Sequence, residues 1–342
     1  MLNHAIELVE QGRIPDFITR TGIRQIIRSR HVEQHREYRE PAAWRDFLAE
    51  MDRSPLAAAT DAANTQHYEV PTAFYRTVLG PRLKYSCSLF DHADDSLEVA
   101  EERMLALSAA RAELEDGQHI LELGCGWGSL TLWMAAQFPA ARITAVSNSA
   151  TQKAWIDSEA TARGLGNVTV ITADMNDFQT SETFDRVVSI EMFEHMRNHR
   201  LLFERIANWL EPGGRLFFHI FCHRHFPYFY EVRSETDWMA RHFFSGGMMP
   251  AWDLPLLAQD ALTLEDRWAI DGRHYALTCE RWLANCDRNR ATVISALAGG
   301  DNPAPPEVQC QRWRMFFMAC RELFAWGNGQ HWHVGHYRFV KP

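Results

Sequence analysis

The sequence predicts an α/β fold, a Rossmann-like parallel sheet behind a helical N-terminal extension. Three observations carry this reading. From about residue 96 onward, short apolar strands alternate with amphipathic helices at the spacing of βαβ units. A glycine-rich run, Gly124-Cys125-Gly126-Trp127-Gly128, directly follows the first strand. The 342 residues exceed what one ordinary core holds, which leaves chain for elements outside the sheet.

Residues 1 to about 60 read as helix. Leu2, Ile6, Leu8 and Val9, then Ile14, Phe17, Ile18, Ile23, Ile26 and Ile27, approximate helical spacing, with breaks near Pro15 and Gly22. Pro41 ends this stretch, and Trp44, Phe47, Leu48 and Met51 begin another amphipathic segment. The alanine-rich run 56–64 is the best linker candidate. A helix carrying Ala100, Met104, Leu107 and Ala110 then leads through Asp116-Gly117 into strand 119–123. A helix with Leu130, Leu132, Met134 and Ala135 comes next, followed by strand 143–146, a helix from about 150 to 164 and strand 168–171. Strand 184–190, a helix over about 200–210, and strand 216–220 after Gly213-Gly214 complete the alternation.

A hydrophobic share of 46% and a charged share of 23% fit a globular protein. The net charge of −9 argues against a nucleic-acid partner. Arg20, Arg24, Arg28 and Arg30 form a local basic patch, read here as a solvated helix face. The first residues lack a basic, then apolar, leader, and no apolar stretch approaches the roughly 20 residues that span a bilayer, so a cytoplasmic location is expected. The seven cysteines are odd in number, scattered and without a C-x-x-C pair, which reads as reduced thiols.

The glycine run extends upstream to Glu122, giving E-x-G-x-G-x-G. Gly124 and Gly126 permit a tight turn and close backbone approach to a ligand. A glycine loop alone would suit a dinucleotide. An acid inside the first strand end, with Asp174-Met175 at the end of the third strand placed to bracket an adenine, favours S-adenosylmethionine and a class I methyltransferase sheet. Where an acid would meet the ribose after the second strand, this chain has Ser147, Asn148 and Gln152, which can make neutral hydrogen bonds to the same hydroxyls.

These and further segments resemble the cyclopropane-fatty-acid synthase superfamily, most closely its coclaurine N-methyltransferase branch. They include His67-Tyr68-Glu69-Val70-Pro71, Leu83-Lys84-Tyr85-Ser86-Cys87, Ser149-Ala150-Thr151-Gln152-Lys153 and Ile190-Glu191-Met192-Phe193-Glu194-His195-Met196. They continue with His219-Ile220-Phe221-Cys222-His223, Phe244-Ser245-Gly246-Gly247-Met248-Met249-Pro250 and Gly272-Arg273-His274-Tyr275. The first sixty or so residues lie outside the resemblance. It implies a helical lid over a buried substrate chamber; with the helical extension read from periodicity over 1–65, the chain divides into that extension, the cofactor-binding core over 66–225, and a lid over 226–342 that returns the C-terminal part of the sheet. It implies S-adenosylmethionine as methyl donor, with Tyr85 and Ser86 joining the cofactor set. It also implies a bicarbonate-binding set falling on Cys87, Glu191, His219 and Tyr275, and an acid–histidine set falling on Glu191, Glu194 and His195.

Methyl transfer is an in-line displacement that needs close placement of donor and nucleophile and exclusion of water. An amine acceptor must also lose a proton, a task suited to a carboxylate beside a histidine. Read as a helical turn, the E-x-x-E-H segment puts Glu191 beside Glu194 or His195. Glu194 with His195 is then expected to handle the amine, while Glu191 orients the site. The expected acceptor is a small aromatic or alkaloid-like amine. The alternatives are an unsaturated phospholipid acyl chain, with bicarbonate as base, and a silent cofactor-binding scaffold. Phe226, Tyr228, Phe229, Tyr230, Trp238, Phe243 and Phe244 are candidates for the chamber wall, with core packing as the default for half or more. The histidines at 219, 223 and 225 and at 331, 333 and 336 lack the carboxylate or cysteine partners of a zinc site, so no metal is expected. The N-terminal helices are read as a dimer contact or part of the lid.

Overall fold

A computed structural model describes residues 2–58, 70–232 and 237–342. Most of the linker candidate, the His67-Tyr68-Glu69 segment and the 65/66 boundary lie outside the described residues.

The centre is a seven-stranded sheet in the order β3-β2-β1-β4-β5-β9-β8. Its strands are β1 (His119–Leu123), β2 (Arg142–Ser147), β3 (Val168–Thr172), β4 (Phe184–Ile190), β5 (Leu210–His223), β8 (Thr263–Ile270) and β9 (Trp332–Val340). The first five run parallel, and β9 enters antiparallel between β5 and β8. The five parallel strands fall where the sequence predicts them, except that β5 starts at Leu210 rather than at residue 216; the C-terminal part of the sheet is β8 and β9, which no predicted strand marks. A separate two-stranded ribbon pairs β6 (Tyr228–Phe229) with β7 (Met248–Met249).

Strand alternation sorts side chains onto the two faces. Ile120, Val188 and Phe217 meet Leu105, Ala109, Leu130 and Met134 of α5 (Leu97–Ala112) and α6 (Ser129–Gln137) on one side. Leu121, Val187 and Phe218 meet Leu202, Phe203 and Ile206 of α8 (His199–Trp209) on the other. Ile156 and Ala160 of α7 (Ala150–Ala162) cover the β2–β3 end. Such two-sided burial is why the parallel strands read as unbroken apolar runs.

Above the carboxyl ends of the parallel strands sits a second, helical core. It joins α4 (Thr72–Val78), α10 (Gly272–Arg288), α11 (Arg290–Leu297) and α12 (Pro306–Ala325) through Phe74, Trp282, Val293, Trp313 and Phe317. Against it lie α1 (Leu2–Glu10) and α2 (Asp16–Glu37), while α3 (Pro41–Arg53) packs near α8, and the short α9 (Trp238–His242) closes the roof. Part of the basic patch on α2 departs from the solvated-face reading. Arg20 contacts Glu280 at 3.0 Å and Glu322 at 3.1 Å, and Arg24 contacts Glu322 at 3.1 Å. Glu322 is buried, so charged pairs there hold α2 to α10 and α12. Arg30 lies over the Tyr228 ring at 5.1 Å. No helix among the described residues is long and apolar enough to cross a membrane.

Gly272 opens α10, where a Cβ would collide with the carbonyl oxygens of Trp332 and Phe324. Both are backbone atoms and cannot rotate away. Gly272→Ala should therefore lower folding stability by about 2–3 kcal/mol, read as a reduced urea midpoint. An unchanged midpoint would mean that α10 shifts freely against β9.

Candidate active site

One cleft opens at the carboxyl ends of β1, β2, β3 and β4, the edge where open α/β sheets take ligands. Its sheet-side half gathers the residues predicted for the cofactor. Tyr85, Ser86, Glu122, Gly124, Gly126, Ser147, Asn148, Gln152, Asp174 and Met175 all line it. Gly124 and Gly126 adopt φ of +74° and +53°, the left-handed region that favours glycine. At Gly124 an added Cβ would come 2.6 Å from the Met192 side chain, whereas at Gly126 it would meet nothing within 4 Å. The Ser147 hydroxyl donates to Gln152 at 2.7 Å and receives the Ser149 amide at 3.0 Å, so part of the polar group after β2 is internally bonded. Glu122 is fully buried and accepts from Thr131 at 2.5 Å. Burial raises its pKa to about 8, partly opposed by that hydrogen bond. Ala57 and Ala58, from the N-terminal region, complete the rim. Asn176 holds this segment, accepting the Ala57 amide at 3.0 Å and donating to the Ala57 carbonyl at 3.3 Å.

The other half of the cleft is walled by lid residues. Tyr230 and Phe244 line it, but five of the seven predicted aromatics do not. Phe229 stacks on Phe47, Phe243 stacks on Phe316, and Phe226 packs against His223 and Tyr38. Trp238 donates to Glu10, and Tyr228 accepts from Trp332. In their place stand Tyr275, which the resemblance puts in the bicarbonate set, and helical residues not predicted for the wall. Tyr275, Cys279 and Trp282 come from α10, and Phe316, Cys320 and Phe324 from α12. Their spacings of three and four residues were available as helical stripes. Lys84 is the other omission.

Where the two halves meet, Glu191 follows β4 with a left-handed φ of +51°, outside the short 3-10 turn Phe193–His195. The helical-turn argument therefore does not describe this segment. Glu191 and His195 face the cleft, whereas Glu194 does not line it. Glu194 turns toward β5 and accepts the Phe221 amide at 2.7 Å. The expected assignment of Glu194 as the amine-facing acid does not fit this placement. His195 packs its ring 4.6 Å from that of Phe244.

Glu191 collects donors from three elements. The Cys87 amide donates at 3.0 Å, the Tyr275 hydroxyl at 2.5 Å, and His219 Nε2 lies 3.0 Å away. The four residues of the predicted bicarbonate set are thus brought together, but around the Glu191 carboxylate. Cys87 contributes its backbone and keeps its buried thiol well above the ordinary pKa. Neither Cys87 nor His219 lines the cleft. Burial raises the Glu191 pKa to about 7, opposed by Lys84, the Tyr275 hydroxyl and the Cys87 amide. Lys84 is itself buried. It donates to Ser86 Oγ at 2.5 Å and to the Cys87 carbonyl at 2.7 Å, and burial lowers its pKa.

The histidines grouped in the sequence reading go to separate places. His219 turns to Glu191, and His333 lies 3.6 Å from the Cys222 thiol. His31 of α2 joins His223 and His331, with one nitrogen of each within 4.8 Å of the others. The amides of His225 and Phe226 both donate to His223 Nδ1, at 3.0 and 2.8 Å, which leaves the proton of the neutral ring on Nε2. This nitrogen is a donor, so the trio is not a ready set of metal lone pairs.

The sequence model of the mycolic acid cyclopropane synthetase family matches residues 57–334. An (S)-coclaurine N-methyltransferase from Thalictrum flavum subsp. glaucum is 36% identical over 290 residues, 84% of this chain and 80% of that protein. The crystal structure of a coclaurine N-methyltransferase bound to N-methylheliamine and SAH superposes with a TM-score of 0.91 at 32% identity, covering 99% of both chains. That coverage takes in the N-terminal helices, which the sequence motifs left outside the resemblance. The cyclopropane synthase MmaA2 from Mycobacterium tuberculosis gives a TM-score of 0.71 at 25% identity, with 84% of this chain spanning all of that one.

Burial and the neighbouring Glu191 push the Glu194 pKa well above the ordinary carboxyl value. Between the unfolded and folded pKa values the folded chain binds one proton more, so stability falls there as pH rises, by about 1.4 kcal/mol per pH unit. Glu194→Gln removes this dependence. Urea midpoints taken from about pH 5.5 to about pH 8 should show the wild type losing stability relative to the variant. Parallel curves would mean that Glu194 is already ionised in the folded chain.

Proposed function

Because the chain belongs to the mycolic acid cyclopropane synthetase family and is an S-adenosylmethionine-dependent methyltransferase, we propose that it methylates the nitrogen of a small aromatic or alkaloid-like amine. The observation that carries this reading is a carboxylate, Glu191, whose side chain is only 8% exposed, facing an aromatic chamber beside His195 and next to the cofactor half of the cleft. The cofactor half fits S-adenosylmethionine in kind. Open space at Gly126 allows close backbone approach, and Asp174 and Met175 line the same cleft as the glycine loop. When bound, S-adenosylmethionine supplies an electrophilic methyl group on a sulfonium sulfur.

The remaining work falls to the protein. A secondary amine enters largely as an ammonium, which has no lone pair to attack with. Glu191 attracts that cation, and Tyr230, Phe244, Trp282 and Phe324 offer ring faces to it while excluding water. An apolar wall disfavours the charged amine, so the proton passes to Glu191 or to His195. The freed lone pair is then held in line with the methyl group. Glu194, bonded to the Phe221 amide and with its pKa raised by burial, supports the loop that carries Glu191 and His195.

The bicarbonate reading fits less well. The donors that an anion would need, the Cys87 amide and the Tyr275 hydroxyl, already end on Glu191, and His219 faces the same carboxylate. The chamber wall therefore presents a carboxylate, which suits a cation.

The test is a transfer assay with methyl-labelled S-adenosylmethionine, offering tetrahydroisoquinolines beside unsaturated phospholipid vesicles. Label is expected on the amine. Glu191→Gln and His195→Ala should each lower kcat by about 100-fold or more. Activity should rise with pH as Glu191 ionises near its pKa of about 7. Label only in lipid, or wild-type turnover in both variants, would overturn the proposal.

A further inference from the structure

Behind Glu191 a buried line of side chains runs away from the cleft. His219 on β5 and His336 on β9 are direct cross-strand partners, both fully buried. His219 Nε2 is 3.0 Å from Glu191 Oε1. His219 Nδ1 is 2.9 Å from His336 Nε2, and His336 Nδ1 is 2.9 Å from Arg111 Nη1 on α5. Alternation puts His219 on the face of β5 that carries Phe217, the face α5 covers, so the fold itself brings Arg111 to this line.

The chemistry of the end group sets the direction of every bond. A guanidinium can only donate, so His336 Nδ1 must accept and the proton of a neutral His336 sits on Nε2. That proton is given to His219 Nδ1, which places the His219 proton on Nε2, pointing at Glu191. Both rings stay neutral. Burial holds each well below the ordinary imidazole pKa, and Lys84 and Arg111 reinforce this from the loop before α5 and from α5 itself. The other groups around the line are the Tyr275 hydroxyl, the Glu194 carboxyl and the Cys87 thiol near Glu191, Asp266 of β8 near Arg111, and the Trp268 ring, which Arg111 and Arg338 share at 4.8 and 5.6 Å. Because arginine does not release its proton at working pH, the line is not a proton exit. It is a fixed row of dipoles with a cation at one end and a carboxylate at the other.

We infer that Arg111 and His336 are positioning residues for methyl transfer: they lock His219 in the tautomer that donates to Glu191 and so keep that carboxylate ionised at the chamber wall. The inference rests on the reading of Glu191 as the amine-facing carboxylate. Without the lock, His219 is free to turn its unprotonated Nε2 toward Glu191, setting lone pair against lone pair. The Glu191 pKa then rises, and the acid limb of the pH–rate profile moves upward.

The experiment compares pH profiles of kcat/KM with tetrahydroisoquinoline for wild type, R111M, H336F, R111K and H336Q. R111M and H336F should move the acid limb up by about one pH unit or more, with little change once Glu191 is fully ionised. R111K keeps a donor, and H336Q keeps an acceptor toward Arg111 and a donor toward His219, so both should hold the limb near its wild-type position. An unmoved limb in R111M and H336F overturns the inference, as does an equal shift in all four variants. An active E191Q overturns the underlying reading instead, so the two failures are distinguishable. A second measurement needs neither turnover nor stable variants. In histidine-15N-labelled wild type near neutral pH, two rings shielded from solvent exchange should be neutral with the proton on Nε2. Finding either ring of the pair as the Nδ1–H form or as imidazolium overturns the inference.

Discussion

A carboxylate buried among aromatic rings must be paid back in hydrogen bonds, and the arrangement around Glu191 follows from that requirement. Its donors come from the Cys87 backbone before α5, from Tyr275 on α10, and from His219 on β5. These segments are far apart in sequence and belong to the core sheet and the helical roof alike. Satisfying one side chain therefore ties the roof to the sheet at the point where the cofactor and acceptor halves of the cleft join. Lys84, buried nearby with its own two acceptors, adds a positive charge that favours the ionised form.

Much of the core was legible because its signals are local. Runs such as Ile120–Leu121 and Val187–Val188 are apolar because both faces of a parallel sheet are covered. The glycine loop was legible because a left-handed φ at Gly124 and Gly126 leaves little choice of residue. The site was less legible where its geometry is not local. Reading the acid–histidine segment as a helical turn gave the wrong faces, because Glu191 takes a left-handed backbone and only residues 193–195 form the turn. Glu194 is a neighbour of Glu191 in sequence and points to a different strand. The hydrogen-bonded row through His336 to Arg111 depends on β9 entering between β5 and β8, a long-range pairing that no local pattern announces.

The N-terminal helices show the same division. Their helical periodicity leaves open a dimer contact or a part of the lid, and the packing of α1 and α2 against α12 places them on the roof. Two of the arginines that read as a solvated stripe are met by acids more than 250 residues away, Arg20 by Glu280 and Glu322 and Arg24 by Glu322. Beyond α3, the Leu56–Ala57 segment is held by Asn176 and by the Arg197 amide, and it forms the rim over the Asp174–Met175 end of the cleft. The extension thus reaches the cleft at Ala57 and Ala58 and braces the roof helices from outside.

The left-handed backbone at Glu191 has a bearing on how this protein can change. A non-glycine residue there carries a strain of roughly 1–2 kcal/mol, and burying its carboxylate adds a further penalty that the three donors only partly offset. Glycine or asparagine would relax the backbone and remove the charge together. Backbone preference alone pushes this position toward those residues, and on the reading proposed above it is the role toward the amine, together with the bonds to Cys87, Tyr275 and His219, that holds it as glutamate. A lineage released from its reaction, or a library sorted for thermal survival, should lose the acid at 191 before it loses the fold around it.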